Sequence, residues 1–183
     1  LQMSTNLFYC IALSLIDGIG NTRSKQLILS FKSDFEGLFS ASKKKLLEVD
    51  NIGPILADNF IQQREKALEK AKKIQEQAKQ DNIYVIPYWS EDYPKHLKFC
   101  NDHPLILYFK GSNINILNQR MLAIVGTRNS TPYGKKITEQ IISELEGLNI
   151  VVVSGLAYGI DGIAHQKALQ LQIPTLGVLA HGL

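Results

Sequence analysis

Apolar residues recur with two different periods along this chain, and the change falls near residue 80. Before it they are spaced three and four apart in LFYCIALSLI (7–16), SKQLILSF (24–31), FEGLFS (35–40) and KKKLLEV (43–49), and again in a long segment beginning near Pro54. That spacing predicts an all-helical region. In the long helix Ile61, Leu68 and Ile74 share a stripe, while Arg64, Lys66, Lys70, Lys72, Lys73 and Lys79 alternate with Glu65, Glu69 and Glu76. The charged positions predict a solvated face supported by close charge pairs. Asp81-Asn82 ends the pattern. Beyond it, IYVIP (83–87) and LILYFKG (105–111) read as strands, joined by a turn-rich segment with Tyr88, Trp89, Tyr93, Pro94 and Pro104.

Three more apolar runs follow an Asn-rich loop: LAIVGTR (122–128), IVVVSG (150–155) and TLGVLAHG (175–182). Amphipathic segments of helical period separate them. The first such helix has a start signal in Thr131 as N-cap and Pro132 behind it, with Ile137, Ile141, Ile142, Leu145 and Leu148 on its expected buried side. The second begins near Ile160-Asp161. This is a βαβαβ unit, and parallel strands with right-handed crossovers bring their C-terminal ends to one edge. Gly126, Thr127, Arg128, Ser154, Gly155, His181 and Gly182 are therefore expected in one crevice. The predicted fold is α/β, a Rossmann-like parallel sheet preceded by a small all-α helix-hairpin-helix or SAM-like domain. The expected domains are 3–80 and 81–183. The last strand reaches Leu183 where a further helix is due, so the sheet is read as incomplete at the C-terminus and the second domain as truncated.

Composition narrows the function only a little. With 183 residues and a hydrophobic fraction of 45%, the chain can bury a real core in one domain or two small ones. A net charge of +3 permits a polyanionic partner without demanding one. Cys10 and Cys100 have no metal-ligand spacing around them, which points to free thiols in a reducing cytosol and to no bound metal. No signal peptide, lipidation motif or membrane-spanning apolar run is visible, so a cytoplasmic protein without a membrane partner is expected.

The turn Gly126-Thr127-Arg128-Asn129-Ser130 leaves a strand and approaches a helix. Backbone amides, the hydroxyls of Thr127 and Ser130 and the fork of Arg128 suit a phosphate; the alternative is a tight turn with an exposed arginine. Three glycines in G-x-G-x-x-G spacing are lacking, so the dinucleotide fingerprint is absent. In the second turn, Ser154 to Asp161, Gly155 and Gly159 allow close backbone approach. Asp161 and His165 stand one helical turn apart, but no oxyanion hole accompanies them. A helix cap followed by a packed histidine is the preferred reading over a catalytic pair, and no catalytic residue is assigned. In the helical region Asp17-Gly18-Ile19-Gly20 and Asp50-Asn51-Ile52-Gly53 resemble each other. The first fits a helix-hairpin-helix phosphate turn, with Gly18, Gly20, Asn21, Thr22, Arg23 and Lys25 as secondary DNA contacts; a plain αα-hairpin is its rival. The second departs from that pattern at Asn51 and Pro54 and reads as structural. Tyr88, Trp89, Tyr93 and Tyr108 can stack bases, but core and sheet cover is the commoner fate of such residues.

Taken in order, Tyr93-Pro94-x-x-Leu97, Asp102-x-Pro104-x-x-Leu107-Tyr108-x-Lys110-Gly111, Ile124-Val125-Gly126-Thr127-Arg128 with Tyr133-Gly134, and Ser154-Gly155-Leu156-Ala157-x-Gly159-Ile160-Asp161-x-x-Ala164-His165 resemble the DNA-processing protein A family, DprA or Smf. The family usually has Ser at the position of Thr127, and either residue supplies a hydroxyl. The resemblance implies a protein that binds incoming single-stranded DNA, protects it and loads RecA in natural transformation and recombination, as a homodimer when full length and without a cofactor. It implies that Arg128 is a DNA phosphate ligand, with Gly126, Thr127, Ser130, Ser154, Gly155 and Gly159 forming the rest of the site. It also implies a second basic contact and a dimerisation surface further along the family pattern. Two rival readings remain. One is a nucleotide hydrolase of the phosphoribohydrolase-like Rossmann group, whose Pro-Gly-Gly motif is not visible here. The other is a duplex-binding helix-hairpin-helix protein.

Overall fold

The computed structural model describes residues 2–180, with side chains from residue 6 onward, so His181 and Gly182 lie outside the described residues. The backbone divides into two compact units, Leu1–Ser112 and Asn113–Leu183. The first runs through α1 (Gln2–Ser14), α2 (Asn21–Ser30), α3 (Phe35–Phe39), α4 (Lys43–Leu47) and α5 (Pro54–Gln80) to the strands β1 (Tyr84–Pro87) and β2 (Ile106–Phe109).

Local chemistry explains where these helices start. The side chains of Asp34 and Ser42 accept the amides of Gly37 (2.9 Å) and Lys45 (3.4 Å), capping α3 and α4. Pro54 opens α5 with a φ already suited to the helix and no amide left unbonded. Ala57, Phe60, Ala67 and Ala71 of α5 are buried with Ile11, Leu13, Leu27, Leu38 and Leu46, and Ile61, Leu68 and Ile74 pack at the margin as expected. The charge pairs expected along α5 do not form within it among the described residues. Asp58 instead pairs with Lys43 of α4 at 2.6 Å, and Arg64 donates to the Ala41 carbonyl at 3.0 Å. The backbone carbonyl of Ala41 is a fixed acceptor and costs Arg64 less ordering entropy than a mobile partner one turn away.

The two Ile-Gly turns are built alike. Gly18 and Asn51 both have left-handed backbone, φ 79° and 63°. Ile19 and Ile52 are buried, while Gly20 and Gly53 lead into α2 and α5 in extended conformation. Asn tolerates the left-handed region better than most residues, which accounts for the second turn's departure from glycine. At Gly18 a Cβ would lie 2.7 Å from Leu56 Cδ2, so a side chain there would require Leu56 to move as well as a left-handed backbone.

β1 and β2 pair antiparallel, with Tyr84 opposite Phe109 and Pro87 opposite Ile106. Leu105 and Ile106 are buried in the helical core, and Val85, Tyr88 and Trp89 pack against it. The compact units thus part at Ser112 and Asn113 rather than near residue 80, because the hairpin's apolar groups find their cover among the helices. Tyr93 is fully buried, donates its hydroxyl to the Pro104 carbonyl at 2.7 Å, and has its pKa raised to about 12, chiefly by that burial. Asn21 fastens α2 to the segment before β2. Its amide nitrogen donates to the Asp102 carbonyl at 3.2 Å, and its side-chain oxygen accepts the Leu105 amide at 3.1 Å.

The second unit contains β3 (Met121–Ala123), α6 (Pro132–Ser143), β4 (Val151–Gly155), α7 (Ile160–Gln170) and β5 (Thr175–Val178). The sheet is parallel in the order β3-β4-β5, with Leu122 opposite Val152 and Val153 opposite Leu176. This is the expected Rossmann-like α/β arrangement following a helical N-terminal part. Ile142, Val152, Ala164, Ala168 and Ile173 form its core, and Ile124, Leu145 and Leu171 pack on it. Thr131 caps α6 as expected, accepting the Gly134 amide at 3.1 Å. Two expected core positions are instead exposed, Ile141 (39%) and Leu148 (51%). The buried stripe is centred on Thr138 and Ile142; Ile141 sits about 100° away around the helix, and Leu148 follows its end at Ser143.

Asn21→Ala should destabilise the first unit by about 1–2 kcal/mol, since the Leu105 amide loses its acceptor while the helical core is untouched. Urea unfolding followed by Trp89 fluorescence measures it. An unchanged midpoint would mean that the fastening contributes nothing.

Candidate nucleic-acid interface

The turn after β3 and the turn after β4 meet around Ile160. The Ile160 amide donates to the Thr127 carbonyl at 3.2 Å. A Cβ on Gly126 would lie 2.6 Å from Ile160 Cγ1, and one on Gly159 would collide with the carbonyls of Thr127 and Arg128. Gly159 also has φ 83°, so both its backbone conformation and its surroundings require glycine. Gly134, near the start of α6, joins the same cluster, its Cβ position lying 3.6 Å from Ile160 Cδ1. Beneath the turns, the buried Asp161 carboxylate accepts the Gly126 amide at 3.4 Å, and a Cβ on Gly155 would come within 2.6 Å of its Oδ2. The structure therefore gathers Gly126, Thr127, Arg128, Gly155 and Gly159 as expected.

These residues differ in what they present outward. Arg128 is exposed and its guanidinium has no protein partner among the described residues. Thr127 is exposed too; its Oγ1 accepts the Asn129 amide at 3.1 Å, which leaves the hydroxyl proton for another acceptor. Ser130 is half-buried at the end of the same turn, and Lys135 and Lys136 add positive charge to the first turns of α6. Ser154 points the other way. It is buried, and its hydroxyl donates to the Ile124 carbonyl, tying β4 to the end of β3. Its hydroxyl serves the sheet and does not face the edge.

Asp161 and His165 do not pair with each other. His165 is buried with Nε2 2.8 Å from the Gly155 carbonyl and Nδ1 2.7 Å from Thr175 Oγ1. A carbonyl only accepts, so Nε2 carries the proton, and the Thr175 hydroxyl lies within reach of both Nδ1 and the Val152 carbonyl at 3.0 Å. Both ring nitrogens are thus engaged in joining α7, β4 and β5. This is the packed histidine expected from the sequence, whereas Asp161 is not the expected helix cap: Gly159 holds that position, and the Asp161 carboxylate inside the first turn of α7 accepts the Gly126 amide. Among the described residues no group of three His, Cys, Asp or Glu side chains is placed to hold a metal ion.

The helical module offers less to a phosphate than its sequence suggests. The Arg23 guanidinium donates to the Gly18 carbonyl at 3.0 Å, closing its own turn. Asn21 is committed to Asp102 and Leu105. Lys25 Nζ is buried without a hydrogen-bond partner, and desolvation lowers its pKa against the opposing pull of Asp102. Gly18 and Gly20 shape the turn; Thr22 is left exposed beside them. A cleft of about 310 Å³ in this unit is lined by Leu15, Asp17, Gln63, Lys66, Ala67 and Lys70, where the one carboxylate offsets only one of the two lysines. The aromatic residues singled out in the hairpin segment mostly pack: Tyr88 is edge-on to Trp89 at 5.0 Å, Trp89 lies 6.3 Å from Phe35, and Tyr93 is buried.

Comparison with known proteins agrees with this architecture. The family model for DNA recombination-mediator protein A matches residues 84–183. The chain is 39% identical over 104 residues to the DNA processing protein DprA of Bacillus subtilis, covering 57% of this chain and 35% of that one. It is 31% identical over 178 residues to Protein Smf of Synechocystis, covering 96% of this chain and 44% of the relative. The crystal structure of DNA processing protein A from Streptococcus pneumoniae superposes with a TM-score of 0.64 at 26% identity, covering 94% of this chain and 56% of that one. This chain thus spans less than half the length of the two curated relatives. With the family model matched across the hairpin, both turns and all three parallel strands, the chain belongs to the DNA recombination-mediator protein A family.

Proposed function

We propose that this chain binds single-stranded DNA by its phosphates at the edge formed by the turns after β3 and β4. The observation that carries the reading is the unpaired, exposed Arg128 beside the free hydroxyl proton of Thr127, on a turn held rigid by Gly159 and Ile160. A planar guanidinium and nearby donors fixed on a stiff backbone suit a phosphate diester and supply little base information. Gly126, Gly155 and Gly159 contribute by letting the backbones approach, and Ser130 by extending the turn. Ser154 supports the site from below. The secondary contacts expected at Gly18, Gly20, Arg23 and Lys25 have a minor part, since the exposed Arg23 is engaged by the Gly18 carbonyl and the Lys25 ammonium is buried.

In the whole protein this binding serves protection of incoming DNA and loading of RecA during transformation and recombination, in the cytoplasm and as a homodimer. Support comes from relatives named as DNA processing proteins and from the absence, among the described residues, of a helix long and apolar enough to cross a membrane. The role is binding without turnover. His165, the residue a hydrolase would most plausibly use, has both nitrogens occupied.

Arg128→Ala in the complete protein should weaken single-stranded DNA binding without changing sequence preference, and flatten the dependence of log K on log salt by about 0.7. Arg128→Lys should recover only part of the affinity, because a point charge lacks the fork. Equal affinity of wild type and Arg128→Ala at moderate salt would remove Arg128 from the site. His165→Ala should cost about 2 kcal/mol of stability by freeing the Gly155 carbonyl and the Thr175 hydroxyl, yet leave DNA affinity nearly unchanged below the melting point. Release of free base from a nucleoside monophosphate, abolished by this substitution, would favour a hydrolase instead.

A further inference from the structure

Two tyrosines at the same edge expose their rings to an unusual degree, Tyr158 at 89% and Tyr133 at 74%. Among the described residues neither ring packs on another aromatic group, and neither hydroxyl has a hydrogen-bond partner. Their positions are not scattered. Tyr158 immediately precedes Gly159, whose backbone lies against the carbonyls of Thr127 and Arg128, and Tyr133 immediately precedes Gly134, which approaches Ile160 Cδ1. Each ring therefore springs from backbone fixed in the cluster that carries Arg128, one from the turn after β4 and the other from the start of α6. Lys135 and Lys136 follow Gly134; Lys135 lies 3.9 Å from the Glu139 carboxylate, and Lys136 adds positive charge that favours a polyanion.

We infer that Tyr158 and Tyr133 are stacking platforms for nucleobases, flanking the phosphate held by Arg128. The inference rests on the reading of this edge as a single-stranded DNA site. An exposed ring on a rigid backbone loses little entropy when a base covers it, and every base offers a π-face, so such stacking adds affinity without sequence preference. A duplex keeps its bases stacked on one another. The tyrosines would therefore also separate single strands from double strands, which phosphate contacts alone do poorly.

The test compares an oligothymidylate with an abasic oligonucleotide of equal length, across a salt series, on the complete protein. Tyr158→Ala and Tyr133→Ala should each weaken oligothymidylate binding by roughly tenfold with an unchanged salt slope, and Tyr→Phe at either position should bind like wild type. The abasic strand should bind more weakly to wild type, and equally to wild type and the alanine variants. If the alanine variants hold oligothymidylate as tightly as wild type while Arg128→Ala still loses affinity, stacking is wrong and the phosphate site stands. A loss shared equally by the abasic strand, or one that phenylalanine does not rescue, would assign the effect to the hydroxyls and overturn the inference. Failure of wild type to bind either oligonucleotide would overturn the underlying reading as well.

Discussion

Gly159 lets two turns occupy space that a single additional carbon would deny them. Its left-handed backbone lies against the carbonyls of Thr127 and Arg128, and the Ile160 amide that follows bonds to the first of these. That contact converts the strand ends of a small parallel sheet into one continuous edge. Asp161 supports it from below by receiving the Gly126 amide, and Ser154 and His165 tie β4 to β3 and β5. The polar groups of the crevice therefore divide by direction. Ser154, Asp161 and His165 are consumed in construction, whereas Arg128, Thr127 and the two exposed tyrosines remain for a ligand.

The helical unit illustrates the same division with the opposite outcome. Its duplicated turn uses a left-handed residue, a buried isoleucine and an extended glycine to start a helix, and it does so twice. In the first copy the polar residues a phosphate would need are spent on the protein itself, Arg23 on its own turn and Asn21 on the segment leading to β2. Lys25 goes further, burying its ammonium without an acceptor, and that burial lowers its pKa against the pull of Asp102. A repeated turn is thus explained by helix architecture, and the weight of the functional argument moves to the second unit.

Much of this was legible in the residues. The 3.6 period located the helices, Thr131-Pro132 marked the start of α6, and the order of strands and helices gave the parallel sheet and the meeting of its turns. Other features depend on tertiary contacts that local pattern does not encode. The hairpin packs with the helices because Leu105 and Ile106 find their core there, although the change of period suggested a boundary at residue 80. Ser154 looked like a donor beside Gly155, but strand alternation turns it toward the end of β3. Tyr133 passed as an ordinary motif position and Tyr158 fell on a position the motif leaves open, since an exposed ring in a turn has no periodic signature; only the backbone around Ile160 reveals their direction.

The central claim is that DNA meets this protein at the turns around Ile160 and not at the Gly18 hairpin. Its most direct test is an amide-resolved NMR titration with a short oligothymidylate at low salt. The account predicts shift changes concentrated at residues 126–130 and 155–161, with residues 17–25 nearly silent. Changes confined to 17–25, with the edge around Ile160 unmoved, would contradict it.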